Sequence, residues 1–174
     1  MHMRIRFAAL GIAVLAAGLL VASLAGASGG KSKAFAAKLK GFREAPSIST
    51  GASGSVKLRV DEDDQVITFR LRFRDLSTPS LFAHIHLGQK DVNGGVSAFF
   101  CGGGGKPACP AGNDGEAMVT GTIVPADIVG PAGQGIAAGE FDELVRAIKA
   151  GVTYANVHSE MFPGGEIRGQ LGRG

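Results

Sequence analysis

The segment LFAHIHLG, Leu81 to Gly88, carries two histidines one residue apart in apolar surroundings. In an extended strand, residues i and i+2 project to one face. His84 and His86 therefore point together, while Ala83, Ile85 and Leu87 point the other way. Their Cα atoms stand about 7 Å apart, close enough for two imidazole nitrogens to converge on one metal ion. The chain has 4 histidines. His2 lies in an N-terminal segment that reads as removable, and His158 falls in a second alternating stretch, TYANVHSE. There Tyr154, Asn156, His158 and Glu160 share a face. If the two strands are neighbours, His84, His86 and His158 form a three-imidazole site, with Glu160 or a water molecule as fourth ligand. Three nitrogens and an open position suit Zn²⁺ or Cu²⁺. The same residues also have a purely structural reading. Histidines paired across strands can hydrogen-bond to one another, to Asn156 or to Glu160, and so fix register. Metal binding would not imply catalysis: hydrolysis needs a general base beside the ion, and Glu160 is the candidate the sequence offers.

The elements that must position these residues read mostly as strands. SVKLRVD puts Val56, Leu58 and Val60 on one face. In QVITFRLRFRDL, Ile67, Phe69, Leu71 and Phe73 face one way and Thr68, Arg70, Arg72 and Arg74 the other, the period of a half-buried strand. The acidic DEDDQ between them reads as a hairpin turn. The arginine stripe is either an anion-binding face or the solvated side of an antiparallel strand, with Asp61 to Asp64 near in sequence to neutralise it. Further strands are expected at 35–41, 82–87, 96–100, 116–123, 153–158 and 165–171. One helix interrupts them. In GEFDELVRAIKAG, Phe141, Leu144, Val145 and Ile148 recur at helical spacing. Acidic residues crowd the first turn, Lys149 sits near the end, and Gly151 follows as a stop. The fold expected is all-β: an antiparallel, Greek-key-like sandwich or flattened barrel of about eight strands with one short crossover helix.

The N-terminus reads differently. MHMRIRF carries Arg4 and Arg6, an apolar run extends from Phe7 to Leu24, and Ala25 and Ala27 supply small residues for cleavage. This is the pattern of a secretory signal peptide over residues 1–27. The run is also near the lower limit of a membrane span, roughly 17–25 residues, so an uncleaved anchor is the alternative. Residues 28–33, SGGKSK, read as a linker, and 34–172 as one domain. Of 18 basic residues, Arg4 and Arg6 leave with the signal, so 16 then face 15 acidic ones. That near balance does not call for nucleic acid as partner. Cys101 and Cys109 bracket GGGGKPA. In an exported chain such a pair is expected to form a disulfide.

Two further motifs fail. GGGGK lacks the first glycine and the Ser/Thr of a phosphate loop, having Phe100 and Pro107 there. GASGG, 26–30, fits the nucleophile-elbow pattern but lies at the cleavage site, not between strand and helix.

AHIHLG (Ala83 to Gly88) with NGGV, followed by AIKAGVTYANVHSEMFPGGEIRGQL (Ala147 to Leu171), resembles the CHRD domain, a module of chordin and of many exported bacterial proteins. The family's hallmarks are an A-H-I-H-x-G strand and a closing Y-x-N-x-H-[ST]-x-x-x-P-x-G-E-[IL]-R-G-Q segment. FREAPSISTGASGSVKLRVD is similar to its opening E-x-P-P segment, with Ser47 where a second proline is common. The resemblance covers about residues 34–171 and implies an extracellular β-sandwich or barrel module. No enzymatic activity defines the family; in chordin the domains belong to a protein that binds secreted growth factors. The Cys101/Cys109 loop is not one of its hallmarks. In the closing motif, Glu166 and Arg168 share a strand face and are expected to pair across to neighbouring strands, a structural role with Asn156. H-x-H on an exported β-sandwich strand is also similar to copper/zinc superoxide dismutase. A full dinuclear site there needs more histidines than this chain holds.

The expectation is an exported, non-enzymatic binding or structural module carrying one copper or zinc ion. Its partner would be an extracellular or envelope protein, in a secreted, periplasmic or cell-envelope location, with no stable membrane span after cleavage. The alternatives are a metalloenzyme, with a reduced dismutase-like or hydrolytic site, and a domain whose histidines only hold the scaffold.

Overall fold

The computed structural model describes residues 32–174. The expected signal peptide and residues 28–31 of the expected linker lie outside the described residues. Lys33, assigned to the linker, is already the first residue of a strand.

Eight strands follow one antiparallel path. In chain order they are β1 (Lys33–Lys40), β2 (Ser53–Asp61), β3 (Val66–Arg74), β4 (Ser80–Leu87), β5 (Gly95–Cys101), β6 (Glu116–Ile123), β7 (Thr153–Ser159) and β8 (Ile167–Gln170). A two-residue β9 (Gly172–Arg173) pairs with β1. The spatial order β5-β4-β7-β8-β1-β2-β3-β6 makes a nearly closed, barrel-like sheet. The opening between β5 and β6 is spanned by the chain beyond β6: Ala98 bridges to Ile128, and the Val129 N–H donates to the Ser97 carbonyl at 2.9 Å. Lys106, in the loop after β5, donates to the Thr122 carbonyl at 2.9 Å and pairs with Asp127 at 2.7 Å. The same loop holds Cys101 and Cys109 at disulfide distance, with Cα atoms 5.0 Å apart.

The alternation in the sequence explains the core. Val56, Leu58, Val60, Ile67, Leu71 and Phe73 all point inward and are buried. Each such side chain contributes about 1.5–3 kcal/mol by leaving water. The crossover helix α1 (Phe141–Lys149) buries Phe141, Leu144, Val145 and Ile148, the residues its spacing selects. Gly151 takes φ +72° just beyond it, the left-handed turn that ends helices. Three short 3₁₀ turns, Gly41–Arg43, Pro125–Asp127 and Ala132–Gln134, add to this one α-helix. Among the described residues no helix is long and apolar enough to cross a membrane.

Two expectations change. The closing strand is shorter than 165–171: Leu171 turns its N–H to the Thr153 carbonyl, and the chain then leaves β7 for the edge of β1. The acidic turn does not neutralise the arginine stripe. Glu62 pairs with Lys33 at 3.0 Å and with Lys149 instead. Arg72 and Arg74 find only Glu116 and Asp75, each at 3.6 Å.

β8 runs so close to β1 that a Cβ on Gly169 would lie 2.2 Å from the Lys38 carbonyl oxygen, while one on Gly164 meets nothing within 4 Å. Gly169→Ala is therefore expected to cost about 1–3 kcal/mol and Gly164→Ala almost nothing. Urea denaturation of the two variants checks this.

Candidate metal centre

β4 lies between β5 and β7. Its inward residues Ala83 and Ile85 are in the core, so Phe82, His84 and His86 project from the outer face. β7 pairs antiparallel with β4, setting Phe82 opposite His158, His84 opposite Asn156 and His86 opposite Tyr154. The strands named from the sequence are thus neighbours, and their histidines share one face. Register shifts against β5 at Ala83/His84 and Ile85/His86 bend the strand locally, as bulges do beside sites.

This outer face is not open to water. His84, His86 and His158 are 3%, 8% and 5% exposed. Loops cover them, and the loops are held by the same side chains. His86 Nδ1 is 2.8 Å from the Gly94 carbonyl oxygen, and His158 Nδ1 is 2.9 Å from that of Pro163. A carbonyl only accepts, so both Nδ1 atoms carry the proton and both Nε2 atoms keep a lone pair. Only glycine fits at 94: a Cβ there would lie 1.6 Å from the Leu87 carbonyl oxygen.

The three rings form a tight group. Centroids are 4.4 Å apart for His84–His86, 4.5 Å for His84–His158 and 6.2 Å for His86–His158. One ligating nitrogen from each lies within 4.8 Å of the others. His84 Nδ1, His86 Nε2 and His158 Nε2 are buried without a hydrogen-bond partner. Phe82 and Phe99 pack on His84 at 5.4 and 5.0 Å. Burial holds all three imidazoles neutral. His84 is lowered to about 2, with the neighbouring His86 and His158 adding to the effect. His86 and His158 are lowered to about 4, the carbonyl contacts partly opposing burial. Neutral imidazole is the form that ligates metals, and a backbone acceptor on the opposite ring nitrogen is the usual support for a histidine ligand.

Glu160 is not brought into this group. β7 ends at Ser159, and Glu160 is exposed, with its N–H turned to the Pro79 carbonyl at 3.1 Å. Asn156 donates to Glu44 and, at 3.0 Å, to the Ile167 carbonyl. Glu166 and Arg168 do not pair with each other. Glu166 accepts from Thr50 at 2.7 Å and from the Ser77 hydroxyl and N–H at 2.8 and 2.9 Å. Arg168 donates to the Gln89 and Val92 carbonyls at 3.0 and 2.8 Å, and its guanidinium lies 3.4 Å from the Tyr154 ring centre. The far side of that stack is His86, parallel to Tyr154 at 4.6 Å.

Two neighbours of the site escape a reading of the sequence. Tyr154 falls on the right face, but nothing in its spacing marks it as a stacking platform. Glu44 lies in FREAPSIST, outside any periodic pattern, yet it is 8% exposed beside Asn156. Burial raises its pKa to about 7, against the Asn156 hydrogen bond and the Arg168 charge. The glutamate of that opening segment was its only signal.

Residues 35–171 match the family model described as the CHRD domain. The match spans nearly all of the described chain, and the protein belongs to the CHRD family. No curated protein matches it.

The pKa values set a pH dependence. The histidines sit below their ordinary 6.5 in the fold. The stability they contribute is full above pH 6.5 and is lost as pH falls through about 4 for His86 and His158 and about 2 for His84. Glu44, raised from 4.5 to about 7, acts oppositely: its contribution is full below 4.5 and lost as pH rises through 7. Between pH 6.5 and 4.5 three groups oppose one, each worth at most about 1.4 kcal/mol per pH unit. The chelator-treated protein is therefore expected to lose stability on acidification across that window. His84→Phe should remove about one proton from the slope, read by urea denaturation at stepped pH.

Proposed function

We propose that this CHRD-family protein is an exported binding module whose His84, His86 and His158 hold one copper or zinc ion. One observation carries the reading: each of three buried histidines has a ring nitrogen without a hydrogen-bond partner, and one ligating nitrogen of each lies within 4.8 Å of the others. Leaving a buried polar atom unpaired costs about 1–3 kcal/mol, so three together call for a shared ligand. Three nitrogen donors with an open position suit Zn²⁺ or Cu²⁺. A water molecule rather than the exposed Glu160 completes the set. With Glu160 outside the cluster, the base named for a hydrolytic site is missing from it, which favours binding over turnover.

Export rests on the N-terminal pattern of residues 1–27, on the Cys101/Cys109 pair and on the family's extracellular character. The module acts in a secreted, periplasmic or envelope setting, toward an extracellular or envelope protein rather than nucleic acid. Asn156, Glu166 and Arg168 are its scaffold.

Calorimetric titration of the chelator-treated protein with Cu²⁺ and Zn²⁺ is expected to show one ion per chain. His84→Ala/His86→Ala should weaken binding at least about 100-fold. Metal should raise the thermal midpoint of the parent and not of the variant. No binding by either, with the variant merely less stable, would make the three histidines scaffold and end the proposal.

A further inference from the structure

The four strands β1, β2, β3 and β6 present a second outer face, opposite in character to the covered one. Its rows follow from the register. Ala36, Lys57, Arg70 and Thr120 lie side by side, as do Ala34, Arg59, Thr68 and Thr122. The next row is Lys38, Ser55, Arg72 and Met118. Every cation in these rows is exposed. Rows stand about 7 Å apart along a strand, and strands about 4.8 Å apart, so the cations form a lattice rather than isolated charges.

Among the described residues, Lys57, Arg59 and Arg70 have no carboxylate within ion-pair distance; Arg72 has Glu116 at 3.6 Å. The chain as a whole is nearly balanced in charge, so this concentration reflects segregation. Most carboxylates sit elsewhere: in the β2–β3 turn, where Glu62 is taken by Lys33 and Lys149, and on α1, where Asp142 and Glu143 occupy the first turn. Glu116, opposite Arg74, and Asp61, at the end of β2, border the face. An open depression of about 680 Å³ lies on the face, between Lys57, Arg59 and Arg70, with Thr68, Thr120 and Thr122 along it. Cations therefore stand beside a row of hydroxyls.

We infer that this face binds an acidic polysaccharide, its carboxylates on the Lys57, Arg59, Arg70 and Arg72 lattice and its sugar hydroxyls on the threonines. Arginine forks match carboxylates, and serial exposed cations suit a chain of serial charges. Other polyanionic partners fit the face less well. Membrane-surface elements add large apolar side chains to a basic face, and here Met118 is the one large exposed hydrophobic in the rows. Faces for single-stranded nucleic acid add aromatics for stacking, and none projects from these rows. The inference does not depend on the metal centre, which occupies the other half of the sheet.

The test is binding of the purified protein to polygalacturonate, with neutral dextran and phosphatidylglycerol vesicles as comparison probes. Lys57→Thr/Arg70→Thr keeps strand-forming residues and removes two charges from the face; Lys90→Ala/Arg146→Ala removes two exposed charges elsewhere. The face pair should weaken polygalacturonate binding about tenfold at low salt and reduce the slope of log affinity against log salt. The off-face pair should change affinity less than twofold. Thr120→Glu sets a carboxylate opposite Arg70 without removing a cation and should reproduce the loss, which guards against a face pair that folds poorly. No binding to polygalacturonate, equal loss in both pairs, or binding to vesicles in preference to the polysaccharide would overturn the inference.

Discussion

Desolvation of polar side chains on the outer face of β4, β7 and β8 is the constraint to which this half of the molecule answers. A polar atom taken from water without a partner costs free energy comparable to the stability of a small domain's margin. The covering loops pass where their carbonyls can meet that demand. Gln89 and Val92 accept from Arg168, Gly94 from His86, Pro163 from His158, and Gly88 and Gly151 from Gln170. Asn93 turns back to the Ala45 carbonyl and ties the loop to the segment bearing Glu44. The loops are ordered by what they cover, and the imidazole nitrogens are the conspicuous remainder of that pairing.

Arg168 is the costliest of these groups. It is 2% exposed, and a buried guanidinium is tolerated only when its charge is answered. The answer is spread over three backbone and side-chain acceptors and the face of Tyr154. Its field also reaches the site, since it helps keep His86 neutral and draws on Glu44. Glu44, with a pKa near 7, is a buried carboxyl balanced between its two forms at neutral pH. Arg168 acts on both Glu44 and His86, so this carboxyl and the imidazole cluster share one charged neighbour.

Much of this was legible in the chain because period carries it. The eight-residue alternation of β3 placed its core face, the i, i+3, i+4, i+7 pattern placed α1, and the i, i+2 rule aimed His84 and His86 together. The pairing of β4 with β7 does not follow from the chain, since alternation gives faces but not neighbours. What could not be read are contacts made by loops. Glu44 reaches Asn156 across 112 positions, with no spacing to announce it. Continuing the alternation of β7 to Glu160 sets that residue on the site's face; the strand stops at Ser159 and the chain turns away. Burial is not legible either. Alternation with polar residues predicts a solvated outer face, and it is right for β3 but wrong for β7, whose seven residues are all buried.

That contrast separates the two halves of the sheet. Both obey the same period, with apolar residues inward and polar residues outward. The difference lies in whether connecting segments fold back. The β2–β3 turn does not cover the outer rows of its strands, which stay in water, where cations cost little and remain available. The β1–β2, β4–β5 and β7–β8 connections return over β4, β7 and β8 and convert a polar face into a buried one. A polar row left in solvent can recruit only by long-range charge, whereas a row that is covered must be satisfied at contact distance. One barrel thereby carries an open face of cations suited to extended, salt-sensitive attraction and a buried cluster of three imidazoles that could hold a metal ion.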